Sequence, residues 1–173
     1  MARLSFYIVD SAYCDYLRIS DPCVPYTMDK KARRPFVGIL IEVNGVNYYA
    51  PLSSPKPKHV AMKNQVDFIK IDQGQYGVIN LNNMIPIHGN SVTVINPTIK
   101  PTDSRQDKDY KNLLANQLTW CNAHKTEILN KTLKLYSIIT NGKGYPQLTA
   151  RCCNFLLDEQ NLNIYIQKMG WNK

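Results

Sequence analysis

The chain lacks any apolar run long enough to cross a bilayer. Its N-terminal apolar stretch, Leu4 to Val9, is closed by Asp10 and is far short of the ~20 residues that a spanning helix needs. Neither a membrane partner nor a secretory leader is expected, and the sequence reads as cytoplasmic. Cysteine is present in the wrong pattern for staples or metal. Cys14, Cys23, Cys121, Cys152 and Cys153 are odd in number and include no C-x-x-C pair, so neither a disulfide framework nor a zinc knuckle is indicated. Buried or half-buried free thiols are the reading that remains. There is no P-loop, dinucleotide fingerprint, internal repeat or low-complexity tract. Acidic residues are few: 13 Asp and Glu against 21 Lys and Arg leave a net charge of +8. A polyanion is the natural partner for such a surface, nucleic acid first.

At 173 residues the chain is expected to be a single domain, 1–173, around one core. Leu4 to Val9 predicts a first strand, and Asp10-Ser11 a cap for a short helix carrying Tyr13, Tyr16 and Leu17. Phe36 to Val43 and Val46 to Ala50 flank Asn44-Gly45, the pair that a two-residue hairpin turn favours. Val66 to Ile71, Tyr76 to Leu81 and Ser91 to Ile95 predict further strands, about six in all, with Gln73-Gly74 as a turn. Helical spacing comes next. Tyr110, Leu113, Leu114, Gln117 and Cys121 share one face of a helix. Lys125 to Thr140 predicts a second, with Ile128, Leu129, Leu133, Tyr136 and Ile139 inward, stopped by Asn141-Gly142. Asn154 caps a last helix with Phe155, Leu162, Tyr165, Ile166 and Met169 against the core. Hairpins first and helices after define an α+β fold.

Chemistry concentrates in Tyr49-Ala50-Pro51-Leu52-Ser53-Ser54-Pro55-Lys56-Pro57-Lys58-His59, where a strand ends. The hydroxyls of Ser53 and Ser54 suit phosphate oxygens, and Lys56 and Lys58 add positive charge. The same composition also makes an ordinary solvated turn. A second cationic run, Lys30, Lys31, Arg33 and Arg34, lies just after Tyr26, and Lys131, Lys134, Lys143 and Arg151 come later. No close Asp/Glu pair accompanies the serine loop, which argues against a two-metal nuclease. No metal and no cofactor are expected. His59 titrates in a useful range and is a candidate acid or base, whereas His88 and His124 have no chemical neighbours in sequence and read as structural.

Four blocks in order resemble one family: Pro35-Phe36-Val37-Gly38-Ile39; Tyr49 to Lys56 with His59; Tyr76-Gly77-Val78-Ile79-Asn80 running to Ile87; and Cys153-Asn154-Phe155-Leu156-Leu157-Asp158-Glu159. The chain resembles the ToxN/AbiQ family, endoribonuclease toxins of type III toxin-antitoxin systems. The resemblance implies a strongly twisted antiparallel sheet forming a partly open barrel, similar to the Kid/MazF toxins, with surrounding helices. It implies metal-free cleavage of adenine-rich RNA to 2′,3′-cyclic phosphate ends, with cellular and phage RNA as substrates. It also implies a pseudoknot-repeat RNA antitoxin that the toxin processes and is inhibited by, a closed ring of alternating protein and RNA, and a role in phage defence. The family's hydroxyl-hydroxyl-Pro-Lys motif falls on Ser53, Ser54 and Lys56. Some members carry Thr at the first position, and Ser53 keeps the hydroxyl. The upstream aromatic hydroxyl and cation fall on Tyr26 and Arg34, with Lys30, Lys31 or Arg33 as alternatives for the cation. Lys56 then stabilises the phosphorane, while Ser53 and Ser54 position substrate. The basic residues Lys30, Lys31, Arg33, Arg34, Lys58, His59, Lys131, Lys134 and Arg151 are expected to bind RNA. Two alternatives stay open: a basic barrel that binds RNA without cutting it, and a Ser-Lys acyl hydrolase, which needs an oxyanion pocket that nothing in the sequence suggests.

Overall fold

The computed structural model describes residues 3–28 and 33–172. Lys30 and Lys31 therefore lie outside the described residues. Strand β1 (Ser5–Val9) runs into Asp10, whose carboxylate accepts the Ala12 N–H at 3.0 Å and starts α1 (Ser11–Arg18). The hairpin is built from β2 (Phe36–Gly38), β3 (Glu42–Val43) and β4 (Val46–Ser53). Asn44 and Gly45 turn it with φ of 52° and 76°, the positive pair that a type I′ turn requires. The expected continuous strand from Phe36 to Val43 is in fact two. Its register against β4 slips by two residues between β3 and β2, and Tyr48 bridges the gap through bonds to Leu40 and Ile41 at 2.9 Å each.

Further along come α2 (Pro57–Ala61), β5 (Phe68–Lys70), β6 (Val78–Asn80), β7 (Ile85–Ile87) and β8 (Val92–Val94). The sheet is antiparallel, ordered β5-β6-β4-β2-β1-β8, with β3 and β7 also pairing β4, and it does not close into a barrel. Eight strands among the described residues exceed the six expected. β7 escapes sequence patterning because Pro86 sits inside it, and it is tolerated there because β7 pairs on one side only, with β4. β4 is the hub, pairing β2 and β3 along one edge and β6 and β7 along the other.

The long helices are α3 (Arg105–Ala123), α4 (Lys125–Thr140) and α6 (Phe155–Met169), with a short α5 (Pro146–Arg151) between the last two. Ser104 caps α3 by accepting the Asp107 N–H at 3.0 Å, and Asn154 caps α6 through Leu157 N–H at 3.2 Å. Two expected faces are corrected. In α4 the buried positions are Ile128, Thr132 and Leu135, while Leu133 is exposed. Thr132 can be buried because its hydroxyl donates to the Ile128 carbonyl at 2.8 Å. Met169, expected inward, is exposed in the last turn before the left-handed Gly170. Phe6, Phe36, Tyr48, Ile79 and Phe155 form part of the core, and the buried Glu159 accepts from Tyr48 and Tyr136 at 2.7 Å each.

Candidate active site

Ser53 is the last residue of β4, and two prolines shape the loop beyond it. Lys56 lies between Pro55 and Pro57, and a residue before proline is driven out of the helical region. Its φ of −141° and ψ of 146° comply, and Pro57 then opens α2. The carbonyl of Lys56 accepts the His59 N–H at 2.9 Å, which fixes the backbone and leaves the ammonium outward. Across the sheet, Phe36 pairs Pro51, so the same register carries Arg34 alongside Ser53. Beneath the loop, Gly77 adopts φ of 93°, and a β-carbon there would stand 2.0 Å from the Ser53 carbonyl oxygen. Only glycine allows this approach. Asn80, on β6, donates to Ser53 Oγ at 2.9 Å and to the Pro51 carbonyl at 3.3 Å. With that lone pair occupied, the Ser53 hydroxyl keeps its proton to donate elsewhere.

These groups open onto a cavity of about 530 Å³, lined on the sheet side by Arg33, Arg34, Ser53, Ser54 and Lys56, and on the other by Gln106, Tyr110 and Gln117 of α3. Tyr110 donates to the Arg33 carbonyl at 3.2 Å, and Gln117 to that of Tyr76 at 2.7 Å, so the helical wall is tied to the sheet. Burial pushes the half-buried Arg34 guanidinium below its usual value. Among the described residues no carboxylate forms an ion pair with Arg33, Arg34 or Lys56. The carboxylate of Asp107, which also lines the cavity, accepts from the Ser104 hydroxyl at 2.7 Å. Two hydroxyls, an ammonium and two guanidiniums thus surround one space, a donor set whose chemistry suits an anion.

Other expected site residues lie apart from this cavity. Tyr26 does not line it and packs under the Arg18 guanidinium, 5.2 Å from ring centroid to cation. His59 is buried, and that burial, with Lys58 and Lys56 beside it, pushes its imidazolium below the usual value. Lys58 is exposed on α2. Lys131 faces a different cavity, Lys134 is exposed on α4, and Arg151 is held by Asp67 at 2.5 Å and Gln65 at 2.8 Å. His88 and His124 lie outside this cavity, bonded to the carbonyls of Asn172 and Trp120 at 3.0 and 2.9 Å. Sequence reasoning missed Asn80 and the α3 wall. An asparagine inside the apolar run Val78-Ile79-Asn80 was the available signal, since such a residue weakens a strand unless its amide has work there.

The five cysteines are free, and burial pushes Cys14 up to about 11 and Cys121 to about 12, which leaves no thiolate nucleophile at neutral pH. Among the described residues one group gathers donors of metal-binding type. Asp21, Cys153 and Asp158 have ligand atoms within 4.8 Å of one another, all buried, and none lines the cavity.

The fold is of α+β class: an antiparallel sheet whose central strand ends at Ser53, on a cleft lined by cations and walled by a helix. The model for the family described as Toxin ToxN, type III toxin-antitoxin system, matches residues 5–163, and the chain belongs to that family. It is 30% identical over 168 residues to an Endoribonuclease ToxN of Bacillus thuringiensis subsp. kurstaki, covering 94% of this chain and 84% of the relative. Two solved structures share the fold. One, with TM-score 0.77 and 31% identity over 92% of this chain and 97% of its own, concerns a processed non-coding RNA that regulates a bacterial antiviral system. The other, with TM-score 0.79 and 29% identity over 95% and 98%, concerns selective toxin inhibition by a non-coding RNA pseudoknot.

Proposed function

We propose that this protein is a metal-independent endoribonuclease toxin that cuts RNA by transesterification at the cavity below Ser53. The observation that carries the reading is that Ser53, Lys56 and Arg34 meet at one cavity with no carboxylate ion-paired to either cation among the described residues. In the reaction the 2′-oxygen attacks phosphorus and the bond to the 5′-oxygen breaks, with one proton leaving the 2′-hydroxyl and one reaching the 5′-oxygen. The products are a 2′,3′-cyclic phosphate and a 5′-hydroxyl. Lys56 and Arg34 offset the charge that grows on the equatorial oxygens, and the Ser53 proton, aimed by Asn80, holds one of them. Ser54 presents a second hydroxyl at the same rim.

Family membership and the relatives' names extend the reading to biology. A repeat RNA antitoxin with pseudoknot folds occupies the same basic cleft, is processed by the toxin and blocks it, in a closed protein–RNA ring, and release of the toxin limits phage infection. Adenine-rich sites in cellular and phage RNA are the substrates. The test is incubation of purified protein with a defined single-stranded RNA in EDTA, beside Lys56→Ala. Discrete fragments with cyclic phosphate ends from the native protein alone are expected. Intact RNA with a gel shift supports a binding module instead, and cleavage that returns only with a divalent ion overturns the metal-free chemistry.

A further inference from the structure

Helix α3 serves two cavities. Its first part walls the serine-loop cleft, while its last turn and the start of α4 line a second cavity of about 680 Å³. From Leu114 to His124 the helix advances about 15 Å, a span of a few extended nucleotides. Trp120 and His124 present stacked rings in the second cavity, with centroids 4.0 Å apart and planes 16° from parallel. The bond between His124 Nδ1 and the Trp120 carbonyl oxygen, 2.9 Å long, preassembles that pair. Asp72 and Gln73 line the same cavity, and both hold left-handed backbone, at φ of 47° and 55°. Such strain in non-glycine residues gathers at ligand sites.

Charge indicates which part of a nucleotide fits. The serine-loop cleft is lined by three cations, Arg33, Arg34 and Lys56, and one carboxylate, Asp107, whereas here Lys70 and Lys131 share the cavity with two, Asp72 and Glu127. A phosphate gains little from such a balanced set. A base gains a flat aromatic platform for stacking and carboxylates to accept from its exocyclic amine. We infer that this second cavity is a subsite for an amino-bearing base of single-stranded RNA, a few nucleotides from the scissile phosphate. The inference rests on the nuclease reading and adds a residue set that reads sequence rather than backbone.

The chain has two tryptophans, so Trp171→Phe leaves Trp120 as the sole reporter. The probe is an uncleavable 2′-O-methyl oligoadenylate hexamer, compared with the oligouridylate. Quenching of Trp120 emission by the adenylate is expected. So is an affinity about tenfold weaker in Trp120→Leu, with Trp120→Phe retaining most of it, since one stacked base is worth about 1–3 kcal/mol. Glu127→Gln should narrow the preference for adenylate over uridylate. No quenching, with unchanged affinity in Trp120→Leu, overturns the subsite. Quenching by a native protein that cuts no RNA sinks the nuclease reading and leaves the subsite, and cutting without quenching does the reverse. A higher KM in Trp120→Leu assigns the base to substrate. Unchanged KM with weaker binding of a structured repeat RNA assigns it to the inhibitor.

Discussion

The cleft at the end of β4 and the cluster at the start of α6 both crowd like charges, and they resolve the conflict in opposite ways. Asp21 and Asp158 are both buried. Asp21 accepts the backbone N–H groups of Asn154 at 2.6 Å and Cys23 at 2.9 Å. Burial and the neighbouring Asp21 carboxylate push Asp158 up to about 8, so it keeps its proton near neutrality. Arg33 and Arg34 have no such route, because a guanidinium does not shed its proton in a protein. Their charge stays, and water reaches both, since Arg33 is exposed and Arg34 half-buried. A carboxylate cluster can relieve its crowding by titrating, whereas crowded guanidiniums keep their charge and lower its cost only by facing solvent or an anion.

Four experiments break or sharpen that contrast. Lys56→Ala should lower RNA cleavage by about 10²–10³-fold, the cost of one preorganised charge donor. The exposed side chain leaves the melting temperature nearly unchanged, and full activity in this variant would remove the cleft from the chemistry. Gly77→Ala drives a methyl into the Ser53 carbonyl. A stability loss of roughly 1–3 kcal/mol is expected in chemical denaturation, with cleavage falling as the serine loop moves. Unaltered stability and cleavage would show that the loop gives way freely.

The carboxylate cluster supplies the third experiment. Asp158 holds in the folded state a proton that the unfolded chain releases above the ordinary carboxylate value, so its contribution favours folding at low pH and is lost as pH rises toward about 8. Asp158→Asn should remove that slope and gain on the order of 3–4 kcal/mol relative to the native chain between pH 5 and pH 8. Parallel pH profiles for the two proteins would contradict the shared-proton account. The smallest effect belongs to the two guanidiniums. Replacing Arg33 and Arg34 together with Ala should flatten the log-log salt dependence of RNA binding by about one to two units, near 0.7 for each phosphate left un-neutralised on a single strand. An unchanged slope would place the RNA backbone elsewhere.

Much of the fold was legible because its signals are local. Asp10 and Asn154 cap the helices that they precede, and Asn44-Gly45 turns the hairpin it marks. The failures have local causes too. Pro86 hid β7, and Leu133 looked like core because helical spacing cannot tell a leucine face from the neighbouring face where Thr132 satisfies its own hydroxyl. In the candidate site, Ser53, Ser54 and Lys56 were legible as a cluster because they are nearly contiguous. Arg34 was one of several choices in a basic run, and Asn80 and Gln117 gave no sign of belonging with them.

By itself the sequence determined the positive surface, the order of hairpins and helices, the family blocks and the residue types at the serine loop. Each of these depends on composition or on neighbours within a few positions. The tertiary structure alone decided that Arg34 stands beside Ser53, that Asn80 takes the Ser53 lone pair, that α3 closes the cleft, and that Tyr26 and Arg151 are engaged elsewhere. Those outcomes arise from strand register and from which edge of β4 accepts β2 and β6. A slip of one residue in either ladder turns the same side chains to the opposite face, and no local pattern encodes that choice.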